Sequence, residues 1–130
     1  MINIQKIDHI GIRIRNKKRA VAFYETLGFK LTRDLGYDEG HPIMMQHISG
    51  IVLNLLGPST INKDENILMD TDVKYAGYTH IALRVDSITE TENILKKHQY
   101  EITGRMKFEK MQAIFIRDPD KNVIEFNEYA

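Results

Sequence analysis

The stretch IDHIGIRI, residues 7–14, settles into strict alternation from His9 onward: Ile10, Ile12 and Ile14 fall on one face of an extended strand, His9, Gly11 and Arg13 on the other. Such a strand suits a sheet that is buried on one side only, and its polar side opens with an imidazole. A single histidine in that place is more often a hydrogen-bonded structural residue than a ligand, so its meaning depends on the rest of the chain.

The pattern returns once. HIALRV, residues 80–85, repeats HIGIRI, residues 9–14, at an offset of 80 minus 9, or 71. Without a gap, the same offset lays LGFKLTRD (27–34) over HQYEITGR (98–105) and VLNL (52–55) over VIEF (123–126), setting Asn54 against Glu125. A long-period repeat of this kind is one supersecondary unit used twice. In the first copy a helix is expected over NKKRAVAFYETLG (16–28), with Asn16 as N-cap, Val21, Phe23, Tyr24 and Leu27 as its apolar face and Gly28 as its stop. Strands follow near 29–34, 42–48 and 50–56. In the second, a helix runs from Ser87 or Thr89 to His98, followed by strands near 100–105, 111–117 and 122–128, the last two joined by the turn residues DPDKN (118–122).

The expected fold class is therefore α+β: two repeated βαβββ units, about 5–57 and 78–130, forming a concave mixed sheet in one domain of residues 1–130. The connection, about 58–77, is polar and long for a structureless loop; it reads equally as a plain linker or as a cover over a site.

Composition narrows the partners. The chain has 130 residues, 42% of them apolar, and equal totals of 18 basic and 18 acidic side chains, so nothing favours nucleic acid or an anionic membrane; the expected partner is a small-molecule substrate. MINIQKID lacks the apolar core of a signal peptide and no apolar run is long enough for a bilayer, which points to the cytoplasm. With no cysteine, any metal must be held by nitrogen and oxygen.

The residues that share a face with Ile10, Ile12, Ile14, Leu53 and Leu55, and their counterparts Ile81, Leu83, Val85, Ile124 and Phe126, must pack under the helices. The opposite face carries His9, Arg13, Asn54, His80, Arg84 and Glu125. If the copies pair about a pseudo-twofold axis, His9, His80 and Glu125 meet. Two imidazoles and one carboxylate suit one divalent first-row ion (Fe, Mn, Ni, Co or Zn) with positions left open, whereas Mg and Ca prefer oxygen shells. Asn54, at the fourth corner, is a weak ligand, an orienter of water or a polar substitute. Read singly, the histidines are relics of the repeat and Glu125 a surface carboxylate, but that requires three coincidences at symmetric places. Arg13 and Arg84 are candidates for substrate anions, and Met44 and Phe115 for the lining of the cup. His47 points by parity to the helix side; His41 and His98 read as loop and helix-end surface.

DHIGIRI (8–14), THIALRV (79–85) and RDPDKNVIEF (117–126), on a repeated strand–helix–three-strand unit, resemble the vicinal oxygen chelate superfamily. It includes glyoxalase I, bleomycin-resistance proteins, fosfomycin-resistance thiol transferases, methylmalonyl-CoA epimerase and extradiol dioxygenases. The resemblance implies metal ligation by His9, His80 and Glu125, with Glu125 a candidate catalytic group. Asn54 falls where glyoxalase I has a metal-bound glutamate base; an asparagine cannot accept the proton, which disfavours lactoylglutathione lyase activity by the usual route. Arg13 falls where a glyoxalase I arginine contacts glutathione. The function implied is a metal-dependent lyase or isomerase of glyoxalase type that chelates neighbouring oxygens of a small substrate and stabilises an enolate-like intermediate. The alternatives are a metal-dependent dioxygenase or thiol transferase, and a non-catalytic module that binds an antibiotic, although the bleomycin-binding members lack the metal residues kept here. Small members of the superfamily commonly share each site between the two chains of a homodimer, and free sheet edges favour the same arrangement.

Overall fold

In the computed structural model, which describes residues 1–130, Asn16 and Ser87 start two helices in the same way. The Asn16 side chain accepts from the Arg19 N–H at the head of α1 (Lys17–Thr26), and that of Ser87 from the Glu90 N–H at the head of α2 (Ile88–Lys97). Each helix follows one strand and precedes three. The first set is β1 (Ile10–Arg13), β2 (Lys30–Asp34), β3 (Ile43–Gln46) and β4 (Val52–Leu56); the second is β5 (His80–Arg84), β6 (Gly104–Phe108), β7 (Met111–Arg117) and β8 (Val123–Tyr129). The fold is α+β, as expected, and each repeated unit forms its own four-stranded mixed sheet, ordered β1-β4-β3-β2 and β5-β8-β7-β6. The first and last strands of each set run parallel and the other neighbours antiparallel. The chain divides into units 1–63 and 64–130, so residues 64–77 of the connection go with the second.

The offset of 71 governs the hydrogen-bond register as well as the sequence. Gly11 lies opposite Asn54 and Ala82 opposite Glu125; Met44 lies opposite Asn54 and Phe115 opposite Glu125. Left-handed backbone recurs at Gly28 (φ 98°) and Gln99 (φ 63°), and at Gly50 (φ 96°) and Lys121 (φ 68°). In the second copy, non-glycine residues thus tolerate a conformation that glycine adopts freely in the first.

Period-two alternation sorts the side chains. Ile14, Ile43, Met45, Leu53 and Leu55 are buried in the first unit with Ala20, Phe23 and Tyr24 of α1; Tyr24 meets Phe23 and Phe29 edge to face at 5.0 and 6.0 Å between centroids. Val21 and Leu27, expected on the apolar face of α1, are half-buried at its margin. In the second unit Ile114, Ile116, Ile124 and Phe126 are buried with Ile88 and Leu95 of α2.

The copies differ at their second strand. β6 begins at Gly104, later than the expected 100–105, and runs to Phe108 opposite Met111. The first unit cannot extend its ladder this way. Gly36 (φ 111°) and Gly40 (φ 88°) bracket a 3-10 turn, Tyr37–Glu39, and Pro42 has no N–H to offer. The last hairpin closes through Asp118, which is 2% exposed and accepts from the Asp120 and Asn122 N–H groups at 2.8 and 2.9 Å. At the matching place, 47, the His47 imidazole accepts from the Ser49 N–H at 3.0 Å and rests on Phe29, on the helix side as the parity requires.

The connection contains one helical turn, closed by the Asp70 N–H on the Asn66 carbonyl. Arg117 holds this strap with a two-armed hydrogen bond to Asp70 at 2.9 and 3.0 Å, and the Asn66 amide donates to the Lys121 carbonyl. The guanidinium lowers the Asp70 carboxyl to about 2. None of the helices is long and apolar enough to cross a membrane.

Two outcomes follow from this packing. Ile116→Ala, at a site with 0% exposure, is expected to lower the unfolding free energy in a urea titration by about 2–5 kcal/mol. Ile48→Ala, at 99% exposure, stays within about 0.5 kcal/mol. For the strap, a carboxylate with a depressed folded value stabilises docking above its ordinary value and loses that contribution as pH falls through the folded one. NMR order parameters for residues 66–70 should therefore stay high at neutral pH and drop as pH falls from about 4 toward the Asp70 value of about 2. Asp70→Asn should lower them already at pH 7.

Candidate functional site

Glu125 lies in the middle of β8, between Ala82 on β5 and Phe115 on β7, and is buried at 7% exposure. A buried carboxylate needs partners, because leaving water costs it several kcal/mol or more. It has two. The Asn127 amide, two residues along on the same face, donates to Oε2 at 2.8 Å, and His80 Nε2 stands 3.3 Å from Oε1. His80 heads β5 with its other nitrogen, Nδ1, against Thr79 Oγ1 at 2.9 Å and its ring edge-on to Phe115. With Nδ1 engaged by its neighbour, Nε2 is the nitrogen turned to the carboxylate.

This arrangement has a chemical consequence. A neutral imidazole lone pair and a carboxylate lone pair repel at such a distance unless a proton or a metal ion lies between them. The donor set suits a borderline divalent ion, and Asn127 and Thr79 supply the outer hydrogen bonds that orient such ligands.

The first unit repeats the outline with different residues. His9 immediately precedes β1, is exposed, and engages Asp8 Oδ1 through Nδ1 at 2.7 Å, as His80 does Thr79 one repeat later. The imidazole lowers the Asp8 carboxyl below its ordinary value. Asn54 lies between Gly11 and Met44, and its Oδ1 is buried without a hydrogen-bond partner. A buried acceptor left in that state costs about 1–3 kcal/mol, and a metal ion or a ligand donor would relieve it. Neither unit by itself gathers three metal-ligating His, Asp or Glu side chains; the second brings together His80 and Glu125, while His9 belongs to the first.

The remaining candidates divide. Met44 and Phe115 occupy matching places beside Asn54 and Glu125. Arg13 is exposed at the end of β1, and the Arg84 guanidinium lies over the Tyr129 ring at 4.1 Å, a cation–π contact that holds it along the sheet. His41 is exposed, and His98 caps α2 and stacks on Tyr100. Asn127 escaped the sequence reading because its counterpart at position 56 is an apolar leucine, so the repeat did not mark it; parity with Glu125 was the available signal. Asp70 gave no signal at all, lying 47 residues from Arg117.

Solved structures share this fold. A glyoxalase family protein from Enterococcus faecalis is 22% identical with a TM-score of 0.79, over 98% of this chain and 100% of that one. TnmS3, an antibiotic binding protein from a Streptomyces species, is 19% identical with a TM-score of 0.75 over all of both chains. FosX, a fosfomycin resistance protein from Listeria monocytogenes complexed with Mn(II) and 1S,2S-dihydroxypropylphosphonic acid, is 15% identical with a TM-score of 0.72, over 98% of this chain and 92% of that one. No curated protein matches the sequence. The family model for glyoxalases, bleomycin resistance proteins and dioxygenases matches residues 6–126, and with the duplicated βαβββ register this shows that the chain belongs to the glyoxalase/bleomycin resistance protein/dioxygenase superfamily.

Proposed function

We propose that this protein is a metal-dependent enzyme of glyoxalase type, a lyase or isomerase acting on a small molecule with two neighbouring oxygens. The observation that carries the reading is the facing of His80 Nε2 and Glu125 Oε1 at 3.3 Å, each held from behind by Thr79 or Asn127. His80 and Glu125 are two of the ligands, His9 the third, and Asn54 either a weak fourth or the group that orients a water. When bound, a divalent ion supplies Lewis acidity that stabilises enolate-like charge on the substrate oxygens. The chain's own groups do the rest. Asn127 fixes which Glu125 oxygen faces His80. The amide of Asn54 accepts a hydrogen bond but no proton, and Glu125 is our candidate for proton transfer. Arg13 and Arg84 serve the polar end of the substrate, Met44 and Phe115 its apolar body. We further propose a twofold homodimer in which His9 and Asn54 of one subunit join the partner subunit's His80 and Glu125, the symmetry making the two resulting sites equivalent.

A second reading, a module that binds a small molecule without turnover, is favoured by the apolar side chains beside Glu125. Phe115, Ala113, Met111, Met106 and Phe108 all share its sheet face, with Phe108 and Met106 64% and 44% exposed. The likeness to the antibiotic binding protein supports it too. Dioxygenase or thiol-transferase chemistry would use the same ligands.

Metal analysis of freshly purified protein separates these readings. One divalent ion per site is expected, reduced sharply by His9→Ala, His80→Ala or Glu125→Ala and far less by His41→Ala or His98→Ala. A metal-free protein that still binds ligand supports the module. Mixing His9→Ala with Glu125→Ala chains should restore part of the bound metal if the site is shared between subunits, and none if all ligands come from one chain. Asn54→Glu should raise isomerisation of the methylglyoxal–glutathione hemithioacetal above that of the wild type; a wild type already turning it over efficiently would overturn the role given to Asn54.

A further inference from the structure

The two sheets share their register but not the chemistry of the strands at their β2 and β6 edges. In β2, Lys30 lies opposite Gln46 and Leu31 opposite Met45; the register then shifts, and Arg33 lies opposite Met44 and Asp34 opposite Ile43. Thr32 is the extra residue of this bulge, its hydroxyl donating to the Met44 carbonyl at 3.2 Å. Side chains alternate along a strand, so without the bulge Arg33 would follow Leu31 to the helix side. With it, Arg33 turns to the opposite face and joins one row across the sheet, Arg33–Met44–Asn54–Gly11. Asp34 marks the other face, since its carboxylate bonds Lys17 of α1.

Lys30 points with Arg33, and Arg13 and His9 share their face, while the strands of that face present no carboxylate. Where cations of this chain tie structure together, acids meet them: Lys17 with Asp34, Arg105 and Lys96 with Glu92, Arg117 with Asp70. Lys30 and Arg33 have neither an ion pair nor a hydrogen bond from their side chains. Charge on an edge strand also discourages pairing between molecules, but that duty does not require a cation here. At the same edge of the second sheet, the place of Arg33 is taken by Gly104, followed on that face by Met106 and Phe108. The bulge thus aims a guanidinium at the Asn54 row in one unit only.

We propose that Arg33, assisted by Lys30, is an anion-recognition site that takes a carboxylate, phosphonate or phosphate group of the small molecule bound on the Asn54 face; this rests on the reading of that face as the substrate side. The fork of a guanidinium pairs with two oxygens of such a group at once, which a lysine cannot match. Arg33 stands two strands from Asn54, about 10 Å between backbones, so the anionic end and the oxygens near Asn54 belong to one compact ligand.

The test is an amide NMR titration of the full chain with methylphosphonate at constant ionic strength. Saturable shifts are expected at Lys30, Arg33, Met44 and Asn54. Arg33→Gln should weaken binding about tenfold or more, and Arg33→Lys, which keeps the charge but loses the fork, by less. Lys107→Gln removes an equal charge on the helix side of the other sheet and should change nothing; the spectra themselves report that each variant is folded. Absence of saturation in the wild type, or equal weakening by Arg33→Gln and Lys107→Gln, overturns the proposal. Metal content measured on the same samples keeps the two readings apart. A metal-free protein with an Arg33-dependent methylphosphonate site removes the metal enzyme and retains the anion site. A metal-bearing protein without that site does the reverse.

Discussion

A single ten-residue helix covers only one face of the four-stranded sheet in its own unit, and everything else in the structure depends on that constraint. Because successive side chains of a strand point to opposite faces, the residues that pack under α1 and α2 leave every second residue on a face with no helix of its own. In the second unit Ile124 and Phe126 go under the helix, and Glu125 between them does not. In the first unit Leu53 and Leu55 do the same for Asn54. The candidate site is the remainder of the core pattern.

The two buried acids of the second unit, Asp118 and Glu125, are satisfied in different ways. Asp118 is satisfied by its own turn, through two backbone N–H groups and the Asn122 amide. When the duplication places a histidine at position 47 instead, the imidazole takes over the same backbone donor, and the turn is kept. Glu125 has one oxygen on an amide and the other on an imidazole nitrogen, an arrangement that no turn requires. At its counterpart, Asn54, nothing in the chain replaces the missing partner. The copies therefore conserve the geometry of their turns and diverge in the chemistry of their open faces.

The fold by itself does not fix the chemistry. Proteins described as an antibiotic binder and as a manganese-complexed fosfomycin resistance protein share this chain's whole architecture at below 20% identity. Packing beneath such a face tolerates apolar sets of similar size, so a fold of this kind is kept while its residues change.

The sequence by itself determined the duplication, the α+β class, the start of α1, that of α2 to within two residues, and most strands, because alternation, caps and turn residues act over a few neighbours and the offset of 71 joins the two halves without reference to space. It also picked out His80 and Glu125, since parity alone puts them on one face, and the parallel β5–β8 pairing brings them together. Three features needed tertiary structure. The extension of β6 to Phe108 depends on ladder partners in β7. The grip of Arg117 on Asp70 joins residues 47 positions apart, with no periodicity to announce it. The aim of Arg33 depends on the bulge at Thr32: one extra residue reverses the face of every residue after it, and only the register of the neighbouring strand shows where that residue was inserted.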